Sequence, residues 1–347
     1  MKVKIYKLGF CLFLGFNLHA QSYYGGIEIG DKEIKMTVLD VQNPKKGTYE
    51  LKASWTEDIE MAAGIPIECM FTQADVNNVA YAVLSNYKKM QATYNIKNSN
   101  IYIVASSTVD MASNTNSLIK RIKEFTNKNL DIIPSSSEAS LLIKGCIPQK
   151  NHLDSMVLDI GIKNTKGGYI SKTGDGNTFS QLTSDIGIVT LTEKINHILR
   201  QNPSYNFDET IFNYLPKLRE ELSKMYLNLP QSKTKINIYL SGEAVWAFYI
   251  LINEKEAQDN FNEIKYVDIL SSKFVIENNF NKIKKAALTN KDIRKVLETY
   301  SQKNLISAGD LLITALEEIQ NTNNKNIFFA KYGQISWLVS YINNHAK

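Results

Sequence analysis

The sequence repeats one order of predicted elements in its two halves, and this repeat constrains the fold more than any other feature. In the first half, a strand ends in Glu28-Ile29-Gly30, and two more strands flank a turn at residues 43–47. In the second half, a strand ends in Asp159-Ile160-Gly161, and two more strands flank the turn Gly174-Asp175-Gly176. Helices and strands alternate after each set of three strands. Such a repeat predicts two α/β domains with a cleft between them, which is where ligands usually bind.

The first twenty residues have the composition of a cleavable secretory signal. Three lysines precede an apolar run at residues 8–18, and Ala20 stands directly before the polar residue Gln21. A membrane anchor is the alternative, but the apolar run is much shorter than the ~20 residues that span a bilayer. We therefore expect cleavage after Ala20, export to the periplasm or secretion beyond it, and no transmembrane segment in the mature chain.

The charge balance gives no support for a nucleic-acid partner. The chain carries 40 Lys+Arg and 35 Asp+Glu, a net charge of +5, and the signal accounts for three of the lysines. The mature chain therefore has 37 basic and 35 acidic residues, which is a net charge of only +2. We expect neither nucleic-acid binding nor association with a membrane surface through charge.

Two cysteines remain after the signal, Cys69 and Cys146. In an oxidising compartment they could form a disulfide bond, but two separate buried thiols are the interpretation that we favour. The chain contains no Cys-x-x-Cys motif and its histidines are isolated, so zinc chemistry has no support.

The predicted boundaries follow from this organisation. We expect a signal at residues 1–20, a first domain at 21–147, a linker at 148–155 and a second domain at 156–347. The second domain includes a Lys/Asn-rich and mostly helical segment at residues 255–300, which offers no chemical motif. A polar linker between two such domains would act as a hinge beside the cleft.

Several segments of the chain occur in the same order as in one known family. They are Val104–Asn114, Ser137–Gly145, Ser184–Glu193 and Leu240–Ala244, followed by Ala308-Gly309 and Tyr332-Gly333. From about Gly25 to its end, the chain resembles the exopolyphosphatase/guanosine pentaphosphate phosphatase (Ppx/GppA) family. The resemblance implies an actin-like (ribonuclease H-like) ATPase fold, built of two βββαβα-type domains around a cleft.

The resemblance also implies roles for the residues of the cleft. Glu28 and Asp159, at the ends of the two corner strands, would hold a hydrated Mg²⁺. Glu138 would position the attacking water, and a solvated carboxylate in a first helical turn is the alternative. The implied phosphate-binding residues are Gly30, Gly161, Lys163, Asn164 and Gly242. Lys163 could instead be a solvated loop lysine.

The departures from the family pattern fall on the residues that would carry the chemistry. Negative charge next to a phosphate repels it, and a side chain in place of glycine keeps backbone N–H groups from converging on an anion. Asp31, Glu33 and Asp110 add negative charge. Ile162, Lys163 and Glu243 each replace a glycine of the family pattern. Ser137 replaces one of two adjacent glutamates.

Two functions therefore remain open. The first is an exopolyphosphatase-like hydrolase that releases terminal phosphate from polyphosphate, or from a related phosphoanhydride, by Mg²⁺-assisted attack of water in the cleft. The second is a catalytically degenerate, exported member of the family that acts as a binding protein, with a homodimer or an envelope protein as the open choices of partner. Because an exported protein would not meet cytoplasmic guanosine phosphates, polyphosphate is the favoured substrate.

Overall fold

The computed structural model describes residues 23–30, 33–43, 48–59, 70–106, 109, 112–174, 176–227, 229–320 and 322–346. The predicted signal at residues 1–20 lies outside the described residues, as do Asp31, Cys69 and Asp110. Among the helices within these ranges, none combines the length and the apolar composition that a membrane crossing needs.

The first sheet begins with the three strands that the hairpin pattern predicts. In chain order its strands are β1 (Tyr23–Ile29), β2 (Glu33–Asn43), β3 (Thr48–Asp58), β4 (Ile101–Ala105) and β5 (Leu130–Ile132). They are arranged in the order β3-β2-β1-β4-β5. Strands β1, β2 and β3 are antiparallel neighbours, whereas β4 and β5 extend the sheet in parallel with β1.

The second sheet repeats this arrangement and adds one strand at its edge. Its strands are β6 (Ser155–Ile160), β7 (Thr165–Thr173), β8 (Gly176–Ser184), β9 (Asn237–Ser241), β10 (Phe261–Glu263) and β11 (Asn326–Ala330). They are arranged in the order β10-β11-β9-β6-β7-β8. Without β10, the order and the directions match those of the first sheet. The predicted fold class, two mixed-sheet α/β halves of the actin-like type, is confirmed.

Helices connect the parallel strands and pack against the faces of the sheets. In chain order the helices are α1 (Gln73–Tyr94), α2 (Thr115–Thr126), α3 (Ser135–Cys146), α4 (Ile188–Gln201), α5 (Phe207–Tyr226), α6 (Glu243–Asn253), α7 (Tyr266–Asn278), α8 (Phe280–Thr289), α9 (Lys291–Thr299), α10 (Gln302–Ile319) and α11 (Ser336–His345). Helix α1 shows why they form: Val76, Val79 and Val83 recur at helical spacing and are buried, and a capping box of Thr72 and Asp75 closes its first turn.

The last helix, α11, returns to the first half of the chain and joins the two sheets. It packs against α3 and β1. Its buried residues Leu338 and Ile342 belong to a cluster that includes Tyr24 of the first sheet and Tyr239 of the second. A Cβ atom at Gly145 would lie 2.2 Å from the Ser336 carbonyl oxygen, so only glycine permits this approach of α3 and α11.

The structure differs from the sequence-based prediction mainly in short elements. The strands β5 and β10 have three residues each, which is too few to show a period of two. The segment 255–300 is three consecutive helices preceded by β10. The predicted linker at 148–155 contains a 3₁₀ helix, Gln149–Asp154, which leads directly into β6.

Candidate functional site

The two acid-x-Gly corners have the same backbone structure. At the end of β1, the Gly30 N–H donates to the Glu33 carbonyl oxygen at 2.9 Å, and at the end of β6 the Gly161 N–H donates to the Asn164 carbonyl oxygen at 2.9 Å. Each bond closes the tight turn into the next strand. The two amides that were predicted to contact phosphate therefore already have partners within their own hairpins.

The same hairpins place a lysine opposite each corner carboxylate. In the antiparallel pairing of β1 and β2, Glu28 lies opposite Lys35. In the pairing of β6 and β7, Asp159 lies opposite Lys166. Directly opposed residues on antiparallel strands have neighbouring side chains on the same face of the sheet. The two halves of the molecule thus present the same pair of charges to the cleft.

Sequence reasoning missed both lysines, although a signal was present. Lys35 and Lys166 each follow their corner carboxylate by seven residues, because the turns have the same length. Each also lies next to a residue that points into a core: Ile34 and Thr165 are fully buried. The equal spacing in the two halves would have identified them.

Glu28 is the most unusual carboxylate of the site. Its residue is 6 % exposed, and among the described residues its Oε2 atom has no hydrogen-bond partner. Burial raises the pKa of Glu28 to about 7, although the ammonium group of Lys35 acts in the opposite direction. A buried carboxylate oxygen without a hydrogen-bond donor costs free energy, because nothing replaces the water that would solvate the ionised group.

Asp159 occupies the equivalent position in the second half. It is 9 % exposed. Burial raises its pKa above the ordinary value, and the charges of Lys166 and Lys35 oppose this effect. Lys35 belongs to the first sheet, so its charge acts on a carboxylate of the second.

Glu138, the predicted catalytic residue, lies in the first turn of α3 and points into this space. Its Oε1 atom lies 3.2 Å from the ammonium nitrogen of Lys166, and its side chain is only 12 % exposed. Its charge also contributes to the raised pKa values of Glu28 and Asp159. The carboxylate is therefore part of the cleft and forms an ion pair with the opposite half of the molecule.

Gly242 and Glu243 close the site at the start of α6. Gly242 has a φ of 95°, and a Cβ atom there would lie 2.3 Å from the Ile160 carbonyl oxygen and 2.6 Å from Asp159 Oδ1. Only glycine allows this contact. Burial raises the pKa of Glu243, and the charge of Asp159 adds to the effect. Glu243 thus extends the acidic character of the cleft, where the family would have a glycine.

The remaining predicted residues lie on the rim of the second corner. Lys163 and Asn164 are both exposed. The Asn164 carbonyl oxygen accepts the turn hydrogen bond, and the Lys163 carbonyl oxygen accepts a hydrogen bond from the hydroxyl group of Thr190 in α4. These backbone contacts hold the corner against the start of α4.

A cavity of about 260 Å³ adjoins the corner at Gly242 and Glu243. Its lining includes the aromatic side chains of Trp246, Tyr300 and Phe329, together with Lys295 and Lys331. The cavity lies on the side of the second sheet. It leaves room beside the corners for a part of a ligand that extends beyond the cleft.

The charges of the cleft fit a divalent cation held by few protein ligands. Among the described cleft residues, five carboxylates face two ammonium groups. The ammonium groups are those of Lys35 and Lys166. The carboxylates are those of Glu28, Glu33, Glu138, Asp159 and Glu243. Within the described ranges, no three His, Cys, Asp or Glu residues form a ready-made metal cage. Mg²⁺ usually takes one or two carboxylates and completes its shell with water and substrate phosphates, and the unpartnered oxygen of Glu28 suits such a site.

The fold and the cleft define a two-lobed protein of the actin-like type, with acidic corners that face each other. Residues 46–318 match the Ppx/GppA phosphatase family, and the chain belongs to that family.

Solved structures agree with this assignment. The chain is similar to an Aquifex aeolicus member of the Ppx/GppA family with a TM-score of 0.70 and 16% identity, covering 94% of this chain and 99% of that chain. It is also similar to a type II variant of the Aquifex aeolicus Ppx/GppA phosphatase (TM-score 0.68, 17% identity, 92% and 99% covered). A third similar structure is an exopolyphosphatase from Cytophaga hutchinsonii (TM-score 0.63, 14% identity, 94% and 99% covered). At these identities, the likeness shows the shared fold.

Proposed function

We propose that the protein is an exopolyphosphatase-like hydrolase that releases terminal phosphate from polyphosphate or a related phosphoanhydride. The observation that carries this proposal is the position of Glu138. Its carboxylate lies 3.2 Å from Lys166 of the opposite lobe, beside the two corner carboxylates whose pKa values it raises. A carboxylate in this position can accept a proton from a water molecule that attacks a phosphorus atom held between the corners.

In this reaction, a bond forms between the water oxygen and the terminal phosphorus atom, and the bridging P–O bond breaks. Glu138 takes the proton of the water, and the shortened phosphate chain leaves with the electrons of the broken bond. Phosphoryl transfer depends on positioning and on positive charge near the phosphoryl oxygens. A Mg²⁺ ion bound by Glu28 and Asp159 would supply part of that charge.

We also propose that the protein is exported, on the basis of the signal-like residues 1–20. Export supports polyphosphate as the substrate over cytoplasmic guanosine phosphates. The exported form would begin at Gln21, and experiments on the protein are therefore best performed on residues 21–347.

A second candidate function is a binding protein without catalysis, with a second copy or an envelope protein as its partner. Two observations favour it. The ion pair with Lys166 occupies the carboxylate of Glu138, and the amides of Gly30 and Gly161 have partners in their own turns. A site that is neutralised internally binds phosphate less readily than one with open amides and free cations.

The test is phosphate release from polyphosphate by residues 21–347 in the presence of Mg²⁺. We expect release by the wild type and a loss of about 100-fold or more in Glu138→Gln, because general base catalysis contributes about that factor. Glu193→Gln is the matched control, since Glu193 is exposed on α4, and it should retain full activity. If folded wild-type protein releases no phosphate from any phosphoanhydride, the hydrolase proposal is wrong and the binding function is favoured.

A further inference from the structure

The two halves of the molecule each direct one lysine into the cleft from the same position of their sheets. Lys35 follows Glu28 by seven residues and lies opposite it across the first hairpin, and Lys166 has the same relation to Asp159 in the second hairpin. A position that is occupied by the same residue in both repeats, and that faces the space between them, is well suited to hold one ligand from two sides.

Lys35 is held on the cleft face of the first sheet by acidic groups. Its ammonium nitrogen lies 3.0 Å from Glu33 Oε1, and its side chain is 19% exposed. Burial alone would lower the pKa of Lys35, but the charges of Glu28 and Glu33 raise it above its ordinary value. Glu243 of the second half contributes in the same direction. The lysine therefore stays charged in the cleft, and its charge interacts with carboxylates of both lobes.

Lys166 is the counterpart on the second sheet. Its ammonium nitrogen lies 3.2 Å from Glu138 Oε1 of the first lobe, and its side chain is 31% exposed. Burial alone would lower its pKa, but Asp159 and Glu138 raise it. The remaining exposure leaves a path by which a ligand can reach the ammonium group.

We propose that Lys35 and Lys166 form a paired binding site for the terminal phosphoryl group of an oligophosphate. The carboxylates of Glu33 and Glu138, which contact the two ammonium groups, would give up their places to phosphoryl oxygens on binding. The inference rests on the proposed function and adds to it the groups that recognise the substrate. It assigns to two half-buried strand lysines the role that the resemblance gave to the loop residue Lys163.

The chemistry of the groups agrees with this assignment. An ammonium group is a compact point charge that binds phosphate well. The amides of Gly30 and Gly161 are already engaged, so cationic side chains must supply more of the attraction. When phosphate displaces Glu138 from Lys166, the carboxylate becomes available to accept a proton from water. Substrate binding thus prepares the base for the proposed reaction.

The excess of carboxylates sets a condition on binding. Five acidic side chains face two lysines in the described part of the cleft, and an anionic ligand alone would meet net repulsion at short range. Binding should therefore need both the lysines and a divalent cation that offsets the corner carboxylates.

The experiment is calorimetric titration of residues 21–347 with inorganic tripolyphosphate and Mg²⁺. We expect Lys35→Met and Lys166→Met each to weaken binding by about tenfold or more. Met keeps the apolar stem of lysine and thereby preserves packing. Lys166→Arg keeps the charge and should recover most of the affinity. Lys172→Met is the matched control, because Lys172 lies on the same strand β7 but is exposed near the Gly174 turn, and Lys163→Met tests the loop lysine.

The outcomes separate the inference from the proposed function. If wild type binds tripolyphosphate and the two lysine variants bind it equally well, the inference is wrong and the hydrolase proposal stands. If the lysine variants lose binding while wild type releases no phosphate, the inference is correct and the hydrolase proposal is wrong. If folded wild type binds no tripolyphosphate with Mg²⁺, both are wrong. Thermal unfolding of each variant, measured beside the titration, verifies that it is folded.

Discussion

The ammonium group of Lys166, on the second sheet, lies 3.2 Å from the carboxylate of Glu138 in the first turn of α3. This ion pair joins the two lobes directly at the site where the family chemistry is expected. It helps the cleft to accommodate several buried carboxylates, because the second lobe supplies a cation to a carboxylate of the first. Substitution of either residue therefore also changes the electrostatic environment of the neighbouring charged groups.

The ion pair should contribute measurably to stability. Lys166→Met leaves Glu138 and Asp159 without their ammonium partner, and we expect it to lower the free energy of unfolding by about 1–3 kcal/mol, between the values of exposed and fully buried pairs. The double variant Lys166→Met/Glu138→Gln should recover part of this loss. Urea unfolding of the wild type, of the single variants Lys166→Met and Glu138→Gln, and of the double variant gives the coupling energy. A coupling energy of zero would contradict the contact.

Gly242 should be far less tolerant of substitution than an exposed turn glycine. Its φ is 95°, and an added Cβ would overlap the Ile160 carbonyl oxygen at 2.3 Å. We expect Gly242→Ala to destabilise the protein by about 2 kcal/mol or more and to displace the Asp159 carboxylate.

Gly176→Ala is the control for that substitution. The nearest atom to a Cβ there is the Thr173 carbonyl oxygen at 3.9 Å, so its unfolding free energy should stay within about 0.5 kcal/mol of the wild-type value. Equal urea midpoints for the two alanine variants would contradict the close contact between Gly242 and the Ile160 carbonyl oxygen.

Mg²⁺ should stabilise the wild type through the buried carboxylate of Glu28. At a concentration of about 100 times its dissociation constant, a ligand of the native state adds about 2.7 kcal/mol, which raises Tm by several degrees. Glu28→Gln should lose this stabilisation. Glu50→Gln should retain it, because Glu50 pairs with Lys52 at the surface, away from the corners. Thermal unfolding with and without Mg²⁺ measures the effect. An unchanged Mg²⁺ response in Glu28→Gln would show that Glu28 does not bind the metal.

Cys146 should be unreactive in the native protein and should gain reactivity with pH. It is a free, buried thiol. Burial raises the pKa of Cys146 to about 12, although the hydroxyl group of Ser336 opposes the effect. Its thiolate fraction at pH 8 is then about a ten-thousandth and rises about tenfold per pH unit.

Mass spectrometry after iodoacetamide treatment tests this expectation. Native protein at pH 8 should show no label at Cys146, whereas urea-unfolded protein should be labelled within minutes. Rapid labelling of the native protein at pH 8 would show that the α3–α11 contact opens readily.

The sequence predicted the repeat because the signals for it are local. Alternation of apolar residues and the glycine at the end of each corner strand depend on neighbouring residues, and the structure has three-stranded antiparallel units at both predicted places. The strands β5 and β10 were missed because three residues show no period. The packing of α11 on the first sheet was also missed, because nothing local shows which distant surface a helix will cover.

The candidate site was predictable in part for the same reason. Glu28, Asp159 and Glu138 stand in motifs that can be read along the chain. Lys35 and Lys166 stand in none of the family segments. Their signal along the chain is the equal spacing from the corner carboxylates, and its meaning comes from strand register, which sets each lysine opposite a carboxylate.

The sequence by itself determined the two-lobed α/β architecture and the acidic residues at both corners, because strand patterns, turns and family motifs are properties of short segments. Only the tertiary structure decided how those charges are compensated. The pairing of Lys166 with Glu138 crosses from one lobe to the other, and the oxygen of Glu28 is buried without a hydrogen-bond partner among the described residues only in the folded protein. The physical reason is that the energy of a charge depends on burial and on neighbours that are distant in the chain.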